Sequence, residues 1–126
     1  MKHIINSNNA PQAIGPYSHG TTFGQLIFTS GQLPIDANTG QVVDGGISEQ
    51  SIQSLKNLTS VIEEGGGSTD TVLKTTCYLA NIEDFQIFNS IYAKLFGTNS
   101  PARSCFAVKS LPLGVLVEVE AIAHKI

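Results

Sequence analysis

The sequence predicts one α+β domain: a sheet of about six short strands with two helices packed on one of its faces. Three observations carry this expectation. The length, 126 residues, suits a single domain with one core. Two segments, 48–64 and the stretch between Asn81 and Gly97, repeat apolar residues at helical spacing. The remaining apolar segments are short, rich in Val, Ile, Thr and Phe, and bounded by Gly, Pro, Asn or Asp, as strands are. The predicted order is strands, helix, strand, helix, strands, which favours helices gathered on one sheet face.

Taken in order, residues 2–6 form a short strand and residues 7–15 a polar, turn-rich stretch. Residues 21–23 and 26–30 are two strands around a tight Gly24-Gln25 turn. Residues 34–46, rich in Gly, Asp and Asn, are loop with room for a short strand. The first helix has Ser48 as its N-cap, Ile52, Leu55, Leu58 and Ile62 as its apolar stripe, and Gly65-Gly66-Gly67 as its stop. That Gly run follows a helix and lacks the Lys of a phosphate loop. A strand over 71–80 leads to Asn81, read as the cap of the second helix, whose face carries Phe85, Phe88, Tyr92 and Leu95. Two strands over 102–109 and 115–125, joined through Pro112, complete the chain.

Composition limits the function. Charged residues are 13% of the chain, against about 25% in an average domain. This points to a surface that another subunit covers, or to a neutral Ser/Thr/Asn surface. The net charge of −3 and the lack of a Lys/Arg run disfavour nucleic-acid binding and an anionic membrane surface. The N-terminus turns polar at Asn6, with no signal-peptide pattern, and no stretch reaches membrane-spanning length, so a cytoplasmic protein is expected. Two cysteines make no disulfide framework, and His3, His19 and His124 have no metal-ligand spacing.

The final strand is the most informative. Val115, Val117, Val119, Ala121 and Ala123 share an apolar face, expected under the helices. Leu116, Glu118, Glu120 and Ile122 share the other. If residues 102–109 pair with this strand as a hairpin, with Lys109 opposite Gly114, Cys105 falls opposite Glu118 and Arg103 opposite Glu120. An Arg, a Cys and two carboxylates then converge on the side away from the helices. The plain alternative is a surface ion-pair cluster of little energetic value. The flanking Leu116 and Ile122 imply a cover, and a second copy of the chain is the simplest.

Four segments together resemble the Rid (YjgF) family, in its RidA branch: Ala13-Ile14-Gly15-Pro16-Tyr17-Ser18, Phe28-Thr29-Ser30-Gly31-Gln32, Pro101-Ala102-Arg103-Ser104-Cys105 and Glu118-Val119-Glu120-Ala121-Ile122-Ala123. The resemblance spans nearly the whole chain. The stretch from Tyr92 to Pro101 is shorter than usual in the family. The resemblance implies a chorismate-mutase-like fold, a homotrimer whose sheets close a barrel with the helices outside, and sites between neighbouring subunits. It implies hydrolysis of 2-imino acids, or their enamine tautomers, to 2-oxo acids and ammonia. It places Arg103 on the substrate carboxylate, Glu118 on the attacking water, and Tyr17, Ser30, Gly31 and Cys105 along the site. Cys105 contributes backbone groups and a wall rather than a thiolate nucleophile. Glu118 is preferred to Glu120 because it matches the first acid of the family motif. No metal or organic cofactor is expected, because an imine is already electrophilic and needs positioning and one acid/base group. Two other readings stand beside this one. A non-catalytic module sensing a small carboxylate would need Arg103 but not Glu118, and an RNA-directed factor is opposed by the acidic pI of 5.4.

Overall fold

The computed structural model describes residues 1–126. Its element order is β1 (His3–Ile5), β2 (Gly20–Phe23), β3 (Leu26–Thr29), α1 (Ile47–Glu64), β4 (Val72–Leu79), α2 (Phe85–Phe96), β5 (Ala102–Ala107) and β6 (Val117–His124), with three short 3-10 turns between them. One six-stranded sheet runs β1-β2-β3-β6-β4-β5. All its pairs are antiparallel except β4 with β5, which is parallel.

The β2–β3 hairpin turns at Gly24-Gln25 as expected, with Gly24 at φ 59°, a conformation the tight turn requires and Gly alone adopts without cost. α1 begins one residue before the expected Ser48. Its cap is Gly46, which has no capping side chain; the Gly46 N–H donates to the Glu49 carboxylate (2.8 Å), the reciprocal bond of a capping box. Ile52, assigned to the buried stripe, is exposed; the stripe is Leu55, Leu58, Val61 and Ile62. Asn81 makes no side-chain cap, because a 3-10 turn over Ile82–Asp84 precedes α2.

The helices lie against Val117, Val119, Ala121 and Ala123 of β6 and Cys77 and Leu79 of β4, all at most 4% exposed. The apolar face read from the last strand is therefore the core floor. The opposite face of the sheet has no cover within the chain. It presents Ile4, Phe23, Leu26, Phe28, Phe106 and Ile122, each at least about a third exposed, around Glu118, Glu120 and Tyr78. Leu116 does not belong to that face; it is half-buried against the core cluster.

The expected β5–β6 hairpin does not form. β4 lies between the two strands, so Cys105 pairs with Cys77 and Arg103 with Thr75, while Tyr78 and Thr76 sit opposite Glu118 and Glu120. The faces of β5 are also reversed. Arg103 and Cys105 share the helix side with buried Thr75 and Cys77, and Phe106 points to the open side, where its ring meets Tyr78 edge-on at 5.5 Å. β5 is the edge strand, and its Arg103 packs against α2 while staying partly exposed. At that margin an Arg can face the helices without being sealed in.

Candidate functional site

The candidate residues fall into two groups in different parts of the chain. The first lies at the end of β3. Beyond Thr29, the backbone continues alongside β6 through Gln32, which exchanges two backbone hydrogen bonds with Val119 (2.8 and 3.3 Å). This brings Gly31 against Glu118. A Cβ on Gly31 would overlap the Glu118 carboxylate, lying within 2.8 Å of its carboxyl carbon. The absence of a side chain at Gly31 is therefore what makes room for Glu118 to face the cleft.

Ile14, Tyr17, Ser30, Gly31, Leu33, Pro112 and Glu118 line a cleft of about 350 Å³, within the range that takes small organic ligands. The Ser30 hydroxyl donates to the Ser18 carbonyl (2.6 Å), and the Ser30 N–H to the His19 carbonyl (2.8 Å), which ties the Pro16–Ser18 segment to the strand end. Tyr17 is half-exposed and its hydroxyl accepts from the Ile14 N–H (3.4 Å).

Burial, and secondarily the charge of Glu120, raise the pKa of Glu118 above the usual carboxylate range. Glu120 is held differently: it accepts a hydrogen bond from the Tyr78 hydroxyl (3.0 Å). A half-buried carboxylate beside a cleft, with no donor fixing it, can take a proton from a bound water. Its neighbour, already hydrogen-bonded, is less free to do so.

The second group is on β5. The Arg103 guanidinium lies over the Tyr92 ring at 4.7 Å and the Phe85 ring at 5.5 Å, and donates to Asn89 Oδ1 (2.6 Å). Three α2 residues thus hold it, and Tyr92 is fixed in turn by a 2.7 Å hydrogen bond with Thr75. Cys105, half-buried, is two residues further along the same face. Its thiol pKa is raised by burial and lowered by Arg103, with a net rise.

Of the six residues singled out from sequence, four (Tyr17, Ser30, Gly31, Glu118) meet in one cleft and two (Arg103, Cys105) meet elsewhere. Arg103 aligns with Thr75 and hence with Ala121, two strands and three residues from Glu118. At standard sheet spacings that is roughly 14 Å between Cα atoms. The side chains also leave opposite faces of the sheet.

Sequence reasoning missed the residues that hold the two groups in place. Asn57, fully buried on α1, donates to the carbonyls of Leu33 and Ile35 (2.9 Å each), and Ser54 donates to that of Gln32 (2.7 Å). Gln50 accepts from the Leu116 N–H (2.8 Å). Polar residues facing the core at positions 50, 54 and 57 were the available signal, since such residues are kept inside when they satisfy backbone groups. Asn89, Tyr92 and Phe85 carried no comparable signal.

The family profile described as Endoribonuclease L-PSP matches residues 7–125. The chain belongs to the Rid (YjgF) family. A RutC family protein of Pyrococcus horikoshii is 45% identical over 99% of both chains. The human 2-iminobutanoate/2-iminopropanoate deaminase is 41% identical over 98% of this chain and 90% of its own. A crystal structure of Escherichia coli TdcF with bound serine superposes with a TM-score of 0.93 at 35% identity, covering 98% of this chain and 99% of that one. The Rid fold, two helices on a six-stranded mixed sheet, is therefore this chain's fold. Within the family some members are named as imino-acid deaminases and others by family alone. No helix of this Rid protein is long and apolar enough to cross a membrane.

Proposed function

We propose that this protein is a 2-imino acid deaminase that works as a homotrimer, each site shared by two chains. Glu118, Tyr17, Ser30 and Gly31 come from one chain, and Arg103 and Cys105 from its neighbour. The observation that carries the proposal is the split described above. The carboxylate carbon and imine carbon of a 2-imino acid are directly bonded, so the carboxylate anchor and the water must act within a few ångströms of each other. Arg103 and Glu118 of one chain leave opposite faces of the sheet and cannot do so. Two chains can, because Arg103 and Cys105 sit on an edge strand and the Glu118 cleft opens on a face that exposes Phe28, Phe106 and Ile122. The human relative's name supports the substrate class.

In the proposed reaction Arg103 takes the substrate carboxylate through its planar fork, leaving the imine carbon over the Glu118 cleft. Glu118 removes a proton from a water as the water oxygen attacks the imine carbon. Glu118 returns that proton to the nitrogen, giving a carbinolamine; it then takes the hydroxyl proton and passes it to the same nitrogen as the C–N bond breaks, so that ammonia leaves and a 2-oxo acid remains. Tyr17 and the Ser30–Gly31 backbone fix the ligand, and Cys105 closes the wall beside Arg103.

The test divides the labour between the two charges. Arg103→Ala should abolish calorimetric binding of 2-oxobutanoate, since losing one partner of a ligand-buried charge pair costs roughly 2–5 kcal/mol. Glu118→Gln should still bind 2-oxobutanoate while imine hydrolysis falls by about 10²–10⁴. The imine is supplied by a pyridoxal-dependent threonine dehydratase, and its loss is measured against spontaneous hydrolysis. Normal turnover of Glu118→Gln with loss in Glu120→Gln would reassign the base. If neither substitution affects turnover and only Arg103→Ala affects binding, the protein is a carboxylate sensor. Sedimentation equilibrium should give three times 13.4 kDa.

A further inference from the structure

The two cysteines face each other. Cys77 and Cys105 are direct partners in the parallel β4–β5 ladder and point to the same side of the sheet. Adjacent strands lie about 4.7–4.9 Å apart, inside the Cα range a disulfide accepts, about 4.4–6.8 Å. The surroundings of the two thiols differ. Cys77 is fully buried and contacts Thr75 Oγ1 at 3.8 Å, while Cys105 is half-buried on the edge strand. Arg103 lies two residues from Cys105 on the same face.

We propose that Cys77 and Cys105 are an oxidisable dithiol, in which a hydroperoxide converts the pair to an intrachain disulfide and reversibly closes the Arg103 half of the site. Cys105 is the attacking sulfur. It is the more exposed thiol, and Arg103 offsets part of the pKa rise that burial imposes on it. The Cys105 thiolate attacks one peroxide oxygen, the O–O bond breaks, and hydroxide leaves, giving Cys105 sulfenic acid. Cys77 Sγ then attacks that sulfur, the S–S bond forms, the S–O bond breaks, and the departing hydroxide takes the Cys77 proton as water. In sum, two thiols and one hydrogen peroxide give one disulfide and two waters. Burial pushes Cys77 up to about 12, so it is no first nucleophile, but it sits where a resolving thiol must. A bridge between these directly paired residues ties β5 to the fully buried Cys77 of β4 and so fixes the edge strand that carries Arg103. Cys105 and Arg103 move together because they are two residues apart on one strand.

The effect on activity rests on the deaminase proposal; the chemistry of the pair does not. The experiment treats the trimeric protein with hydrogen peroxide and follows intact mass, thiol count under denaturing conditions, and imine hydrolysis. The expected result is a mass loss of about 2 Da per chain, both thiols blocked within the same chain, and full recovery with dithiothreitol. Activity should fall at least tenfold and return with the reductant. Cys77→Val, with Cys77→Ala as a second variant in case the first packs poorly, should keep basal activity. Either should gain two or three oxygen atoms on Cys105, as sulfinic or sulfonic acid, instead of losing 2 Da, and its inactivation should then resist dithiothreitol. Wild-type protein that only gains oxygen, or forms disulfides between chains, overturns the dithiol. A 2 Da loss with unchanged hydrolysis overturns the regulatory half. A 2 Da loss in a protein that never hydrolyses imines leaves the dithiol standing and refutes the deaminase reading alone.

Discussion

If Arg103 and Glu118 act on one substrate from different chains, two dead variants should rescue each other. Arg103→Ala and Glu118→Gln are each expected to lose about 10²–10⁴ of the hydrolysis rate. When the two are co-refolded in equal amounts into mixed trimers, each site takes its Arg from one chain and its Glu from the next. An intact site needs a Glu118→Gln chain on the Arg side and an Arg103→Ala chain on the Glu side. With random closed-ring assembly, that combination fills about a quarter of all sites. The mixture should therefore recover about a quarter of wild-type activity, one to three orders of magnitude above either parent. A site built within one chain predicts no recovery, because every chain in the mixture lacks one of the two groups. The assay is imine loss in the coupled dehydratase reaction, with mixed-trimer formation verified by differently tagged chains. A verified mixture no more active than the average of its parents would refute the shared site.

Three further outcomes follow from the geometry. Glu120→Gln removes the charge that, after burial, raises the Glu118 pKa. The base works ionised, so the acid limb of the kcat/KM profile should move to lower pH, and an upward shift would contradict the assignment of Glu118 as base. Gly31→Ala places a methyl group on the Glu118 carboxylate, so turnover should fall at least tenfold with the trimer intact; unchanged turnover would mean that Glu118 need not occupy this position. Asn57→Leu leaves the Leu33 and Ile35 carbonyls without their donor, at about 1–3 kcal/mol for each buried group left unpaired. Urea denaturation should show that loss, and KM should rise because the segment carrying Gly31 is loosened.

β6 was legible because its alternation is clean: Val117, Val119, Ala121 and Ala123 are all buried and Glu118 and Glu120 are not. Period-two patterning states which face a residue takes whenever one face is sealed. It does not state which strand lies beside it, and that is where the reading of β5 failed. Neither face of β5 is wholly apolar: Ser104 accompanies Phe106 on one, and Arg103 accompanies Cys105 and Ala107 on the other. The short connection to β6 suggested a hairpin. Instead the chain passes through a 3-10 turn at Pro112–Gly114, with Leu113 at φ 59°, and delivers β6 to the far side of β4. The motifs found the six candidate residues without that geometry. Their division into two groups emerged only once β4 was seen to separate β5 from β6.

The division has an electrostatic consequence that favours it. Within the chain Arg103 is held by aromatic faces and the neutral Asn89 oxygen, not by a carboxylate. Its charge is positioned but not neutralised, so an incoming carboxylate meets a fork with no ion pair to break first. Glu118 likewise keeps its raised pKa because nothing cationic in its own chain offsets its burial. Had β5 and β6 formed the hairpin read from the sequence, Arg103 would have been a near neighbour of both carboxylates. A standing salt bridge would then compete with the substrate for the Arg and weaken the Glu as a base. Placing β4 between them keeps anchor and base apart within a chain. In the proposed assembly the two charges meet across a cleft, where substrate carboxylate and water can occupy the space between them.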